Sequence, residues 1–221
     1  LRASIISRSS VLAANIIGER ECRVGDGDWA KTDGRTIYIP SGYLARIVKS
    51  DSLSRMDAGC GMVLHEKAHV EITDMPMYIA CAEQSDAHQF VVNCCEDVRV
   101  NGWAMRGYEG ARKLLGALRK QMAKKLVDLK PESLDTPDAQ MLSTLLCEVG
   151  LAEPHGLPIA DEVREFVEKW KPRVVALGDK DGVTRNTIEV ANALMDDWRK
   201  DNPEPPKMYV KVTVGIGEPT D

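Results

Sequence analysis

No apolar run in this chain approaches the roughly 20 residues that a membrane-spanning helix needs, so no such span and no membrane partner are expected. No two cysteines stand in C-x-x-C spacing, and the adjacent pair Cys94-Cys95 suits no ordinary disulfide framework. Cys22, Cys60, Cys81, Cys94, Cys95 and Cys147 therefore read as reduced, mostly buried thiols of an intracellular, cytoplasmic protein. The same lack of spacing counts against a cysteine metal site. There is no P-loop, no dinucleotide-binding glycine pattern and no internal repeat. Net positive charge is lacking too: the balance is −5, which argues against wholesale nucleic-acid binding while allowing a local basic patch. Histidine is scarce, with four in 221 residues.

Two of those four histidines fall in Met62-Val63-Leu64-His65-Glu66-Lys67-Ala68-His69-Val70, which contains H-E-x-x-H. On a helix, positions i and i+4 share a face, so His65 and His69 can grip one metal ion together. Two imidazoles, a third ligand and an open fourth position make a catalytic zinc site. Glu66 is turned roughly 100° around the helix from His65, placed as a general base toward a water in the open position. Apolar flanks, Met62 to Leu64 before and Val70 and Ile72 after, suit a helix packed in a core. Lys67 is the odd residue, expected either to snorkel to solvent or to repel the metal.

Length suggests one domain or one with an appendage, and 43% hydrophobic with 29% charged residues suffices for a core. Expected is an α+β, mostly helical fold with a small N-terminal sheet packed on the H-E-x-x-H helix. Residues 1–201 form the domain, with the metal-site core at 28–110 and a helical remainder at 111–201. Residues 202–221 are a Pro-rich linker and a strand over Met208 to Ile216. Residues 1–20 carry apolar positions at helical spacing, read as a covering helix in preference to a transit peptide. Gly25-Asp26-Gly27-Asp28 and Thr32-Asp33-Gly34 read as turns, and Arg35 to Ile39 as a strand ended by Pro40. Tyr43 to Val48 begins a helix or turn. Met56 to Ile72 reads as helix, with Gly59 and Gly61 permitting close packing, and Thr73 to Pro76 stops it. The next helix starts at Ser85-Asp86, with Ser85 as N-cap, and runs to about Met105. Further helices are expected from about Arg112 to Lys130, a basic one, from Asp138 to Leu151, from Ile159 to Leu177 with an interruption at Pro172, and from Thr184 to Lys200.

The Ser85–Met105 helix carries Asn93-Cys94-Cys95-Glu96-Asp97-Val98-Arg99. Two carboxylates inside an apolar stretch need a partner, because buried charge is costly unless paired or metal-bound. A metal held by the first helix is such a partner. Glu96, 27 positions after His69, has the longer reach and is expected as the third ligand, with Asp97 orienting a histidine or holding Arg99; the residues alone leave these two roles exchangeable.

At these residues the chain resembles the zincin metallopeptidases of the glutamate-ligand branch. It is similar further to the metallopeptidase-like domains that precede von Willebrand factor A domains in bacterial and phage proteins, including relatives of a cobaltochelatase subunit. The likeness rests on Thr32-Asp33-Gly34, on His65 to His69 followed by Thr73-Asp74, and on Asn93-x-x-Glu96-Asp97-x-Arg99, about residues 28–101. It implies one Zn2+ per chain on His65, His69 and Glu96, with Glu66 as catalytic base in peptide hydrolysis, and a peptide or protein substrate. A partner ATPase or von Willebrand A domain is also implied; that domain's D-x-S-x-S motif is absent here. A chain beginning at Leu1 and ending in a linker-like segment is expected to be a piece of something longer. For the oxyanion, Tyr78, His88, Arg99 and Tyr108 are candidate donors, and the strand around Ile37 is a candidate for pairing with an extended substrate. The rival reading is a non-catalytic, metal-stabilised interaction module in a larger assembly. A third is an anion-binding protein using the basic helix.

Overall fold

The computed structural model describes residues 18–28, 30–40, 53–81, 85–127, 134–152, 158–179 and 181–203. The expectations for the N-terminal helix, for Tyr43 to Val48 and for the strand after Met208 lie outside them. The described residues are α+β and mostly helical. Strands β1 (Arg23–Asp26), β2 (Lys31–Thr32) and β3 (Thr36–Ile39) precede seven helices. These are α1 (Leu53–Ile72), α2 (Met75–Cys81), α3 (Asp86–Gly107), α4 (Ala111–Val127), α5 (Pro137–Leu145), α6 (Asp161–Asp179) and α7 (Thr184–Asp201).

The sheet order is β1-β3-β2, with β1 parallel and β2 antiparallel to β3. Thr32-Asp33-Gly34 makes the β2–β3 turn as expected. Asp33 Oδ1 accepts from the backbone N–H groups of Arg35 and Thr36 at 2.8 and 2.7 Å, and Gly34 takes φ +87°, which costs glycine little. Those backbone bonds hold the Asp33 carboxyl below its ordinary pKa. The first expected turn is different: Gly25 and Asp26 are strand residues, paired with Tyr38 and Ile39. Long-range pairing there overrides local turn preference. Ile37 and Ile39 point one way, as period-two alternation requires, and pack with Met62, Val63 and Val70 of α1 and Leu118 of α4.

Helix α3 is the pivot, with twelve of its 22 residues buried. Val91, Val92, Cys94, Cys95 and Val98 join α5, α6 and α7 in the larger core, which includes Leu145, Trp170, Val174, Leu194 and Trp198. Val100 and Ala104 pack instead with Leu64 and Ala68 of α1 and Leu115 of α4. Ser85 caps α3 by accepting from the His88 N–H, as read. Helix α1 ends at Ile72 as expected, but α2 follows at once. Asp74 opens it by accepting from the Met77 N–H at 3.1 Å, and Pro76 stands in the first turn, where a missing N–H costs nothing. Helix α6 runs unbroken through Pro172. That proline lies on the exposed side of the helix, while Trp170 and Val174 fix the buried side. After α5 the chain widens into one π-helical turn, Leu146–Gly150. All six cysteines are free, and all but Cys60 are buried. Among the described residues no helix is long and apolar enough to cross a membrane.

Candidate metal centre

The site lies where α1 and α3 cross in opposite directions. Helix α1 presents His65 and His69, with Thr73 one further interval of four along, just past its end. Helix α3 presents Asn93, Asp97 and Asn101 at the same interval, so each set forms one stripe. The stripes meet rung by rung. His65 Nδ1 lies 2.9 Å from Asn101 Oδ1. His69 Nε2 lies 3.1 Å, and His65 Nε2 3.5 Å, from Asp97 Oδ1. His69 Nδ1 lies 3.0 Å from Thr73 Oγ1. Asn93 donates to Asp97 Oδ2 at 3.2 Å and accepts from the Tyr78 hydroxyl at 2.5 Å.

His65, His69 and Asp97 thus offer three ligand atoms within 4.8 Å of one another. A tetrahedral zinc with bonds of about 2.0–2.1 Å separates its ligand atoms by roughly 3.3 Å, and the two Nε2–Oδ1 distances straddle that value. Those two of the three separations, and the chemistry of two imidazoles with one carboxylate, suit the ion. The side chains of His65 and Asp97 keep 17% and 21% exposure, so the cluster is not sealed from solvent. Without an ion, a proton must bridge imidazole and carboxylate. Burial disfavours the His65 charge, but Asp97 outweighs it and raises the pKa to about 9. Burial works against the Asp97 charge too, yet the two histidines hold its pKa well below the usual range. Glu66 is buried beside them and has no hydrogen-bond partner among the described residues. Desolvation raises its pKa despite both histidines.

Glu96, read as the third ligand, points elsewhere. One step along α3 from Asp97, it is rotated by roughly 100° and is fully buried among α1, α3 and α7. Arg99 grips it twice, Nε to Oε2 at 2.9 Å and Nη2 to Oε1 at 2.6 Å. Thr187 donates to Oε2 at 2.7 Å, and Thr73 and Thr184 donate to Oε1 at 2.8 and 3.1 Å. Burial opposes its charge, but Arg99 and the hydroxyls more than offset this and lower the pKa. The carboxylate facing both imidazoles is Asp97, the residue that was expected to orient a histidine or hold Arg99. The sequence signal for it is the spacing Asn93, Asp97, Asn101.

Lys67 neither snorkels nor faces the imidazole stripe. It is 1% exposed, pairs with Glu71 at 2.5 Å and donates to the Arg20 carbonyl. Glu71 in turn accepts from the backbone N–H groups of Glu19 and Arg20 at 3.1 and 2.8 Å. Of the four candidate oxyanion donors, Arg99 is spent on Glu96 and on the Gly182 and Ile72 carbonyls. His88 is buried between Asn192 and Cys81, and Tyr108 closes the end of α3. Tyr78 stands two hydrogen bonds from Asp97, and burial followed by the Asp97 charge raises its pKa. Strand β3 is paired on both edges, so it has no free edge for a substrate.

No family model, no curated protein and no solved structure matches the chain.

Proposed function

We propose that this chain is a zinc-dependent metallopeptidase, with His65, His69 and Asp97 as ligands and Glu66 as general base. The observation that carries the reading is the gathering of two imidazole Nε2 atoms around one carboxylate oxygen, at 3.5 and 3.1 Å, beside a buried glutamate with no hydrogen-bond partner among the described residues. A structural site would be closed by a fourth protein ligand, and the cluster holds three among the described residues. A zincin-like arrangement is part of the proposal, supported by a small sheet packed against the helix that bears H-E-x-x-H.

Bound here, zinc would supply a Lewis acid that polarises a substrate carbonyl and makes a neighbouring water acidic. Asn101 and Thr73 turn the two imidazoles so that Nε2 faces the centre, and Asn93 aims Asp97. Glu66, whose raised pKa suits a proton carrier, takes a proton from water as it attacks and returns it to the leaving amine. Tyr78 can turn its hydroxyl from Asn93 toward the oxyanion.

The test is Glu66→Gln in zinc-loaded protein, assayed on a quenched fluorescent peptide library. Zinc content should be retained while turnover falls by about 10²- to 10⁴-fold. If zinc-loaded parent and variant cleave nothing alike, the metal-stabilised interaction module replaces the enzyme.

A further inference from the structure

The accessible line along α3 ends on an aromatic ring. From Phe90 to Asn101 every residue is buried except Phe90, Asn93 and Asp97. Steps of three and four put those three on one face of the helix. The stripe that carries the site carboxylate therefore continues past Asn93 to a partly exposed phenyl group. Helix α2 lies against the same stripe. Tyr78 donates to Asn93 at 2.5 Å, and Asn93 donates to Asp97 at 3.2 Å. Met75, Tyr78 and Ile79 stand at i, i+3 and i+4, so the face of α2 that meets Asn93 carries all three. None of the seven residues of α2 is charged, although 29% of the chain is. Ile79 is 56% exposed, and Met75 and Tyr78 are partly exposed. A helix that only covered a core would turn polar residues outward. Phe90 and Tyr78 also pack against the larger core, which holds both rings in place. Distances along α3 match a peptide. Asn93 lies four positions before Asp97, about 6 Å along the axis, and Phe90 lies seven, about 10 Å. An extended chain covers those lengths in roughly two and three residues.

We infer that Met75, Tyr78, Ile79 and Phe90 form an apolar subsite that selects peptides with a large apolar side chain about two or three residues from the scissile bond, on one side of it. This rests on the peptidase reading above. The occupant is an apolar side chain because the surface offers it rings and aliphatic groups and no charge. It is a substrate side chain because the surface is continuous with the stripe that holds Asp97.

Two measurements on the zinc-loaded full chain test this. One is the cleavage profile of the parent on a peptide library. The other is binding of fluorescein-labelled peptides to Glu66→Gln, read by polarisation, which needs no turnover. The peptides differ at one position, with Leu or Phe against Ser or Asp. The parent should favour Leu and Phe by about 10-fold or more in kcat/KM, and Glu66→Gln should bind them tighter by a similar factor. Phe90→Ala should bring both ratios close to one while zinc content is retained. Ile79→Ser should reduce both ratios too; it changes an exposed residue, so it tests the subsite even where Phe90→Ala loosens the core. Cleavage by the parent with no apolar preference on either side of the bond would overturn the inference and leave the peptidase reading standing. So would parental ratios in both variants; if Ile79→Ser then changed only the oligomeric state, the face would be a contact between copies of this chain. If the parent cleaves nothing, the peptidase reading fails and binding to Glu66→Gln decides the subsite. Tighter binding of Leu and Phe peptides that Ile79→Ser removes upholds it, and equal binding of all peptides overturns it.

Discussion

At the residue scale, the two histidines and Glu66 were legible because H-E-x-x-H fixes their relation within one helix. The carboxylate that faces both imidazoles was not. Glu96 and Asp97 are adjacent in sequence but point to different neighbours, and choosing between them needs the phase of α3 against α1. Lys67 shows a similar divide. Its pairing with Glu71 is an i,i+4 relation readable from sequence, whereas the Arg20 carbonyl that completes its burial is 47 positions away. Lys67→Ala should cost about 3–5 kcal/mol, because it leaves Glu71 as a buried charge; chemical denaturation would measure it, and a loss under 1 kcal/mol would contradict the buried pair. The site also sets a pH dependence. The folded His65 pKa of about 9 lies above its unfolded value of 6.5, so the stability it contributes is full below pH 6.5 and fades as pH rises through 9. The lowered Asp97 pKa acts oppositely, adding stability above its ordinary 3.8 and losing it in stronger acid. Metal-free protein should thus lose up to roughly 3 kcal/mol between pH 6.5 and pH 9. Zinc-loaded protein should show no such loss, because metal and proton compete for the imidazoles. Thermal unfolding with chelator and with zinc compares the two.

At the element scale, long helices were readable from apolar periodicity, and the cap at Ser85 and the turn at Asp33-Gly34 from local chemistry. Strand β1 was hidden, because Gly25 and Asp26 prefer turns and become strand only through β3. Helix α2 was hidden because Pro76 reads as a stop unless its first-turn position is known. Close packing was foreseen at Gly61, where a Cβ would lie 2.3 Å from the Leu114 carbonyl oxygen. It recurs unforeseen at Gly102, where a Cβ would lie 2.0 Å from the Gly178 carbonyl oxygen. Gly102→Ala should therefore force α3 and α6 apart and destabilise by about 1–3 kcal/mol or more. Gly116→Ala in α4, with open space around it, should stabilise by up to about 1 kcal/mol. Opposite shifts in thermal midpoint are the expected result for the two.

At the scale of the whole molecule, α3 joins two cores. One face packs with α5, α6 and α7, another with α1 and α4, and between them run the polar stripe and the buried Glu96–Arg99 pair. An α+β, mostly helical fold was legible from the order of strand and helix signals; the division of α3 between two cores was not, since it depends on helices brought together over long sequence distances. The central claim is that this junction holds one zinc ion on His65, His69 and Asp97. The most direct test is elemental analysis of protein purified without chelator, beside His65→Ala, Asp97→Ala and Glu96→Gln. The account predicts about one zinc per chain in parent and Glu96→Gln, and none in the other two. No zinc in the parent after zinc is supplied, or full zinc retained in Asp97→Ala, would contradict it.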